Sequence, residues 1–259
     1  LSLEPLDAGL EAEVTKVSNS EFSTVLKTWN RTSKPNVELQ YKLLKLLSSK
    51  GLSVSFPIGY GFDKGNPVLL TSFDGSPIQK VNIPIFKTLA QMLTDVHRLP
   101  LEEFEHSMLR KHDFISYFFP AINEHQDIKN LLENLVSLSN MKQDRVIHGD
   151  YNLGNILHKN GKYTIIDWTN GQLGDPRYDI AWSVVLARIY VSERYGSMFL
   201  ESFLSISEYS KDEMELYEAI ACLRWILLNR ITSLPKGKAT IVRVKKILKN
   251  NVHLNENIL

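Results

Sequence analysis

Residues 144–181 have the sequence DRVIHGDYNLGNILHKNGKYTIIDWTNGQLGDPRYDIA, and the rest of the chain is interpreted outward from this stretch. Two strand-like runs, 155–158 and 162–167, flank the pair Asn160-Gly161. Because both residues of an Asn-Gly pair accept positive φ, the pattern predicts a β-hairpin. The hairpin would bring Asn155 and Asp167 together at its open end, with Asp150 on the loop that leads into it.

These three side chains are a carboxylate, an amide and a second carboxylate. Amide and carboxylate oxygens are hard ligands that suit Mg²⁺, which proteins usually hold with one or two carboxylates plus substrate phosphates. A separate carboxylate can accept a proton from a hydroxyl nucleophile. Phosphoryl transfer needs this division of roles, because the protein mainly positions groups and neutralises charge.

Three motifs together resemble the aminoglycoside phosphotransferase and choline kinase superfamily, the small-molecule relatives of protein kinases. They are H-G-D-x-x-x-x-N at 148–155, I-D-W at 166–168 and G-D-P-x-x-D at 174–179. The resemblance implies that Asp150 is the catalytic base and that Asn155 and Asp167 hold Mg²⁺. It also implies that Asp179 accepts backbone N–H groups of the catalytic loop, and that His148 gives structural support and does not transfer protons.

Any one of these acidic residues has an ordinary structural explanation, since an Asp before a turn often caps it. The set of motifs at kinase spacing favours the functional interpretation. The resemblance then implies a two-lobed α+β protein-kinase-like fold. A small β-rich nucleotide-binding lobe is expected at residues 1–73, and a larger, mainly helical catalytic and acceptor-binding lobe at 74–259.

Length and composition limit the number of domains and the kinds of partner that can be expected. The chain has 259 residues, enough for one large domain or two lobes, and its net charge of +1 gives no sign of a nucleic-acid partner. One cysteine, Cys222, excludes an internal disulfide and fits a reducing cytosol. No signal peptide and no apolar run of membrane-spanning length is found, so we expect a cytoplasmic protein with no membrane partner. The oligomeric state is left open.

The N-terminal part contains a candidate phosphate-binding lysine. Lys27 follows an apolar strand-like run, as does the lysine that reaches the α- and β-phosphates in kinases; the alternative is a solvent-facing strand residue. Apolar residues recur at helical spacing between Asn36 and Lys50. Glu38, in the first turn of that helix, either compensates the helix dipole at the surface or orients Lys27. We favour the Lys27–Glu38 pair.

The sequence gives a weaker signal for the backbone groups that would bind the nucleotide than for the catalytic motifs. The glycine-rich loop of protein kinases is reduced here, and Gly9 and the segment 18–20 are both candidates for covering the phosphates. By resemblance, backbone groups of the hinge residues Thr71, Ser72 and Phe73 would bond the adenine edge. The expected cofactors are ATP, or GTP, and Mg²⁺.

The remaining sequence predicts helices. His97, at the end of a helix over 83–98, is interpreted as a hydrogen-bonded structural residue, and the aromatic residues at 114–119 as core in preference to acceptor-pocket wall. A set of acidic residues lies on or before C-terminal helices: Glu201, Glu208, Asp212, Glu213, Glu215 and Glu218. They either line a site for a cationic acceptor or solvate a helix face, and we favour the second.

The resemblance implies transfer of the γ-phosphoryl group of ATP to a hydroxyl of a small molecule, as in aminoglycoside phosphotransferases. One alternative is a metabolic kinase for choline, ethanolamine, homoserine or a sugar. Another is a nucleotide-binding pseudokinase module, which only the reduced glycine loop favours. Fold-level likeness does not separate these functions, because function depends on the acceptor site.

Overall fold

The computed structural model of the chain describes residues 1–6, 12–30, 35–104, 108–232 and 234–259. The chain divides into two compact units. The first comprises 1–79, 105–108 and 154–169, and the second comprises 80–104, 109–153 and 170–259. The first unit therefore includes residues 154–169, which contain the hairpin that the sequence analysis placed in the C-terminal lobe. The lobe boundary predicted at residue 73 stays a prediction.

The first unit is built on a five-stranded antiparallel sheet with strand order β1-β2-β3-β5-β4. Its strands are β1 Ser2–Pro5, β2 Glu13–Ser18, β3 Ser23–Thr28, β4 Pro57–Asp63 and β5 Asn66–Ser72. Helix α1, Val37–Ser49, packs on this sheet and is capped by Asn36, whose side chain accepts from the Leu39 N–H.

A second, three-stranded sheet in this unit has the order β6-β8-β9. Its strands are β6 Ser76–Pro77, β8 Ile156–Lys159 and β9 Lys162–Ile165. The hairpin attaches to the rest of the unit through the segment after α1, because the Ile165 N–H donates to the Ser53 carbonyl and Val54 forms a parallel bridge with Ile165.

The second unit is mainly helical. A small antiparallel pair, β7 Arg145–Ile147 with β10 Gln172–Gly174, is its only sheet within the described residues. Its helices are α2 Ile83–His97, α3 Phe114–Phe118, α4 Gln126–Ser139, α5 Pro176–Tyr190, α6 Glu193–Leu204, α7 Lys211–Ile231 and α8 Thr240–Asn250.

Helix α5 is the centre of this unit. It is buried on nearly every face and packs against α6, α7 and α8, as expected of a helix that is apolar all round. Asp175 caps its N-terminus and Pro176 occupies the first turn, where a missing N–H costs nothing. Because the helix begins at Pro176, Asp179 lies in its first turn.

These elements confirm the predicted α+β class, with a β-rich N-terminal part and a helical C-terminal part. No helix in the described ranges is long and apolar enough to cross a membrane.

Candidate active site

The predicted hairpin is confirmed. Strands β8 and β9 pair antiparallel, and the turn residues Asn160 and Gly161 have φ of 50° and 82°. The Ile166 N–H donates to the Asn155 carbonyl at 2.9 Å. Asn155 and Asp167 are therefore held at the same end of the hairpin by main-chain geometry, in the first unit.

Asp167 has an unusual backbone conformation. Its φ is 61°, in the left-handed region that few non-glycine residues adopt. A conformation of this kind costs roughly 1–3 kcal/mol and persists only where neighbouring groups hold it. Here Lys27 Nζ lies 2.7 Å from Asp167 Oδ1, and the Thr169 hydroxyl donates to the same oxygen at 2.8 Å.

Lys27 and Glu38 are not brought together. Lys27 pairs with Asp167 and lies 4.9 Å from the centre of the Trp29 ring. Glu38 instead pairs with Lys42 one helical turn away at 2.7 Å, and both side chains are about half exposed. The favoured Lys27–Glu38 pair is therefore corrected: Glu38 lies on the solvent side of α1, where an i,i+4 partner is available.

The residue of α1 that faces the site is Gln40, which the sequence analysis missed. Its side chain is buried, and its Nε2 lies 3.4 Å from the Thr169 hydroxyl, which in turn binds Asp167. The signal was present in the sequence, because Gln40 occupies the apolar stripe of α1 between Val37 and Leu44. A polar residue on a buried stripe needs a hydrogen-bond partner.

The loop that carries Asp150 is held by Asp179 within the second unit. The backbone N–H groups of His148 and Gly149 donate to the two oxygens of the Asp179 carboxylate at 2.7 and 2.9 Å. His148 is fully buried, and its Nδ1 accepts from the Asp150 N–H at 3.2 Å. These contacts fix the main chain on both sides of Gly149.

Gly149 allows this loop conformation. Its φ is +77°, and a Cβ added there would lie 2.7 Å from the Asn170 carbonyl oxygen. Both the backbone angle and the close approach of Asn170 therefore require glycine.

Asp179 is buried, yet it remains ionised. Burial alone would raise its pKa, but the hydrogen bond and charge interaction with His97, together with the backbone N–H of His148, lower the pKa below its usual value. His97 Nε2 lies 3.1 Å from Asp179 Oδ2. The predicted hydrogen-bonded position of His97 is thus observed at the end of α2.

Asp150 itself contacts a residue that the sequence analysis missed. The indole Nε1–H of Trp182 donates to Asp150 Oδ1 at 2.7 Å. Trp182 follows Asp179 by three residues on α5, and residues at that spacing share one helix face. This spacing is the sequence signal by which Trp182 could have been assigned to the site.

The predicted hinge residues lie at the end of β5, and their main-chain groups are engaged. The Ser72 N–H donates to the Phe56 carbonyl at 2.9 Å, and the Phe73 N–H donates to Ser23 at 3.4 Å. Lys159 Nζ donates to the Phe73 carbonyl at 3.2 Å. Thr71 belongs to β5, which pairs with β3 on one side and with β4 on the other. Adenine binding by this segment stays a prediction.

Of the two candidates for covering the phosphates, Gly9 lies outside the described residues. Residues 18–20 form the tight turn between β2 and β3, where the Asn19 side chain accepts from the Glu21 and Phe22 N–H groups at 2.8 Å. This is an Asx-type turn that satisfies its own backbone.

The C-terminal acidic residues have several structural partners. Glu213 completes the capping box of α7 with Ser210 and also binds Arg177 at 3.0 Å. Glu218 is 7% exposed and lies 2.9 Å from Arg188 Nε. The interpretation as a solvated helix face is therefore wrong for Glu218. A cleft includes Glu193, Glu201, Glu215 and Glu218 around Arg188.

The aromatic residues at 114–119 belong mainly to the core, as favoured. Phe114, Phe118 and Phe119 are buried, and Phe114 meets Tyr178 edge-on with ring centres 4.7 Å apart. Tyr117 instead points its hydroxyl to Asn170 Oδ1 at 3.1 Å.

With this geometry established, the chain can be compared with known proteins. The model of the phosphotransferase enzyme family matches residues 2–217. The chain belongs to this family. The predicted superfamily and the predicted phosphotransferase class are therefore confirmed. A sequence search of curated proteins gave no significant match.

Members of the phosphotransferase fold recur among the solved structures that the chain resembles. A thermostable mutant of an aminoglycoside phosphotransferase is 14% identical, with a TM-score of 0.72 and coverage of 97% of this chain and 95% of that one. An amicoumacin kinase in complex with AMP-PNP, Ca²⁺ and Ami is 15% identical, with a TM-score of 0.69 and coverage of 95% and 86%. A choline kinase from Streptococcus pneumoniae is 19% identical, with a TM-score of 0.62 and coverage of 96% and 92%. At these identities the likeness shows the fold.

The donor set suits a magnesium ion that is shared with a substrate. Among the described residues no cluster of three or more His, Cys, Asp or Glu side chains is placed to hold a metal. Asn155 and Asp167 supply one amide and one carboxylate at the same end of the hairpin. Mg²⁺ is commonly held by one or two carboxylates together with substrate phosphates, so these residues fit it.

Proposed function

We propose that this member of the phosphotransferase enzyme family transfers the γ-phosphoryl group of ATP, or GTP, to a hydroxyl group of a small molecule. The observation that supports this best is the ion pair between Lys27 and Asp167, at 2.7 Å. These are the two residues assigned to the nucleotide phosphates and to the metal. A cationic group beside a metal-binding carboxylate is the arrangement that phosphoryl transfer requires.

Each residue has a distinct role in the proposed reaction. Lys27 binds and neutralises the nucleotide phosphates, while Asn155 and Asp167 would hold Mg²⁺, which supplies further charge neutralisation when bound. Asp150 orients the acceptor hydroxyl and accepts its proton as the oxygen attacks the γ-phosphorus, while the bond from that phosphorus to the departing nucleoside diphosphate breaks. The hydrogen bonds from His148 and Gly149 to Asp179 hold the Asp150 loop before substrate arrives. Such preorganisation avoids reordering the site during the reaction.

The acceptor is the part of the proposal that experiment must name. The solved structures of similar fold include an amicoumacin kinase and a choline kinase, so antibiotics and amino alcohols both belong in a first panel. Glu213 and Glu218 are bound by Arg177 and Arg188, and they therefore add no support for a polycationic acceptor. Lys27, Asp150, Asn155 and Asp167 are all present, which argues against a pseudokinase.

A coupled ADP-release assay with Mg²⁺ and ATP, repeated with GTP, tests the proposal. The panel contains aminoglycosides, macrolides, choline, ethanolamine, homoserine and simple sugars, and Asp150→Ala is the blank. We expect one class to stimulate ADP release and Asp150→Ala to abolish it while nucleotide binding is retained. A variant that keeps near-wild-type turnover would remove the proposed mechanism, and nucleotide binding without turnover under any condition would favour the pseudokinase.

A further inference from the structure

We propose that Trp182 and Arg224 are positioning residues for Asp150, with Trp182 holding its carboxylate and Arg224 holding both Trp182 and the loop. The inference rests on the proposed function, because it takes Asp150 as the catalytic base. All the residues involved belong to the second unit.

The first step is the contact between Trp182 and Asp150. The 2.7 Å distance from the indole nitrogen to Asp150 Oδ1 is short for an N–H···O bond, as expected when the acceptor is charged. Trp182 is 4% exposed, so little water competes for this bond. Holding one oxygen sets the rotation of the carboxylate, and hence the direction in which it meets a hydroxyl group.

The same helix supports the loop twice. Asp179 accepts the N–H groups of His148 and Gly149, and Trp182 donates to the side chain of Asp150 one turn further along α5. Because α5 is buried and packed on three neighbouring helices, both contacts tie the loop to one well-supported element. Sites built on rigid helices are positioned more precisely than sites on loops alone.

The second step is the packing of Arg224 against the indole. The guanidinium carbon of Arg224 lies 4.1 Å from the centre of the Trp182 ring and 4.7 Å from that of Phe118. A cation over an indole face is attracted by the ring quadrupole, most strongly where water is excluded. Arg224 is 8% exposed, so this stacking fixes the plane of the ring whose edge binds Asp150.

Arg224 also binds the loop directly. Its Nη1 donates to the Gly149 carbonyl and to the Tyr178 hydroxyl, both at 3.0 Å. The Gly149 carbonyl belongs to the peptide immediately before Asp150. Arg224 therefore joins the main chain of the loop to the indole that orients its carboxylate.

Filling space does not account for Arg224. Burying a guanidinium is costly, and replacing buried charge with apolar side chains of similar size is often neutral or stabilising. A positioning role does account for it, because its planar donors and its flat face are used at once, on the Gly149 carbonyl and on Trp182. Lysine has neither property.

The contact can be tested without turnover, by NMR of protein labelled with ¹⁵N-tryptophan. The four tryptophans give four indole N–H signals, and the signal absent from Trp182→Phe is that of Trp182. We expect Asp150→Asn and Arg224→Met each to shift this signal, and Asp150→Asn to leave the Trp225 signal in place. An unmoved Trp182 signal in Asp150→Asn would overturn the inference.

The kinetic test compares two tryptophans. Trp225 is 1% exposed, and its Nε1–H donates to the Tyr190 hydroxyl at 3.0 Å, so Trp225→Phe removes a similar buried hydrogen bond elsewhere. We expect Trp182→Phe to lower kcat about 10–100-fold, since small misplacements of reacting groups have effects of this order. The KM values for ATP and acceptor should change by less than about threefold, as for an interaction used in the transition state.

Arg224 gives an independent comparison. Arg224→Met should lower kcat, as Trp182→Phe does. The kcat of Arg224→Lys should lie between those of Arg224→Met and the wild type. Equal kcat values for Trp182→Phe and Trp225→Phe would overturn the positioning role while leaving the phosphotransferase function standing. A wild-type chain with no ADP release toward any acceptor would overturn the proposed function, and the positioning role with it.

Discussion

The Lys27 ammonium lies 2.7 Å from the Asp167 carboxylate, although the two residues are 140 positions apart in the sequence. Strand β3 carries Lys27, and the β8–β9 hairpin presents Asp167 within the same unit. Both side chains are partly exposed, at 20% and 36%, and ion pairs in such settings contribute only about 0–1 kcal/mol. The pair therefore adds little stability, whereas the proposed binding of phosphate by Lys27 and of metal by Asp167 would explain directly why the two residues lie together.

Lys27→Met should reduce kcat/KM for ATP by about 10²–10³-fold, the effect typical of removing a group that stabilises transition-state charge. Folding stability should change little, because the lost ion pair is partly exposed. The matched control is Lys42→Met on α1, since Lys42 pairs with Glu38 on the solvent side of that helix. Steady-state kinetics and thermal unfolding of both variants test this. Equal losses in the two variants would contradict a specific role for Lys27.

Gln40→Leu should reduce kcat by a smaller factor, about 3–10-fold, because it removes a contact one step away from Asp167 and leaves the core volume filled. The Gln40 amide reaches Thr169, whose hydroxyl binds Asp167. Thr169→Val should have the same or a larger effect. Gln91→Leu, on the exposed side of α2, is the control. The prediction fails if Gln40→Leu and Gln91→Leu turn over equally fast.

Gly149→Ala should destabilise the protein by about 1–3 kcal/mol and sharply reduce turnover, because a left-handed backbone angle is combined with a steric clash. Gly161→Ala is a matched control: its φ of +82° is nearly the same as the +77° of Gly149, but nothing lies within 4 Å of the added Cβ. Urea unfolding gives the two free energies. The free energy of unfolding that Gly149→Ala loses beyond the loss in Gly161→Ala measures the contact with Asn170. Equal losses in the two variants would show that the loop can move away from Asn170.

Acid should lower the free energy of unfolding, partly because it protonates Asp179. Its pKa is lower in the folded state than the ordinary value of 3.8, so its ionisation stabilises the fold above that value. This contribution is lost as the pH falls through the lower, folded-state pKa. Asp179→Asn should reduce the free energy of unfolding at neutral pH by about 3–5 kcal/mol, as for a broken buried charge network.

The same variant should flatten the acid limb of the stability curve. Urea titrations of wild type and Asp179→Asn between neutral pH and pH values below 3.8 test this, with Asp63→Asn at an exposed turn as control. Curves that stay parallel down the acid limb would show that Asp179 does not carry this dependence.

The sequence by itself determined the features that depend on local chemistry. Asn160-Gly161 specified the hairpin because few residues accept two successive positive φ angles, and the motif spacing from His148 to Asp179 specified the family. The apolar periodicity of α1 and α2 located both helices to within one or two residues of their observed ends. These signals are short-range, so one sequence is enough to carry them.

The tertiary structure alone decided which side chains meet. A carboxylate in the first turn of α1 suits the helix dipole and a lysine partner equally well in sequence, and only packing shows that Glu38 faces solvent while Gln40 faces Thr169. Trp182 and Arg224 belong to different helices, 42 positions apart by their numbers, and their stacking depends on how α5 packs against α7. Contacts of this kind depend on which face of each element is buried, and local sequence does not fix that choice.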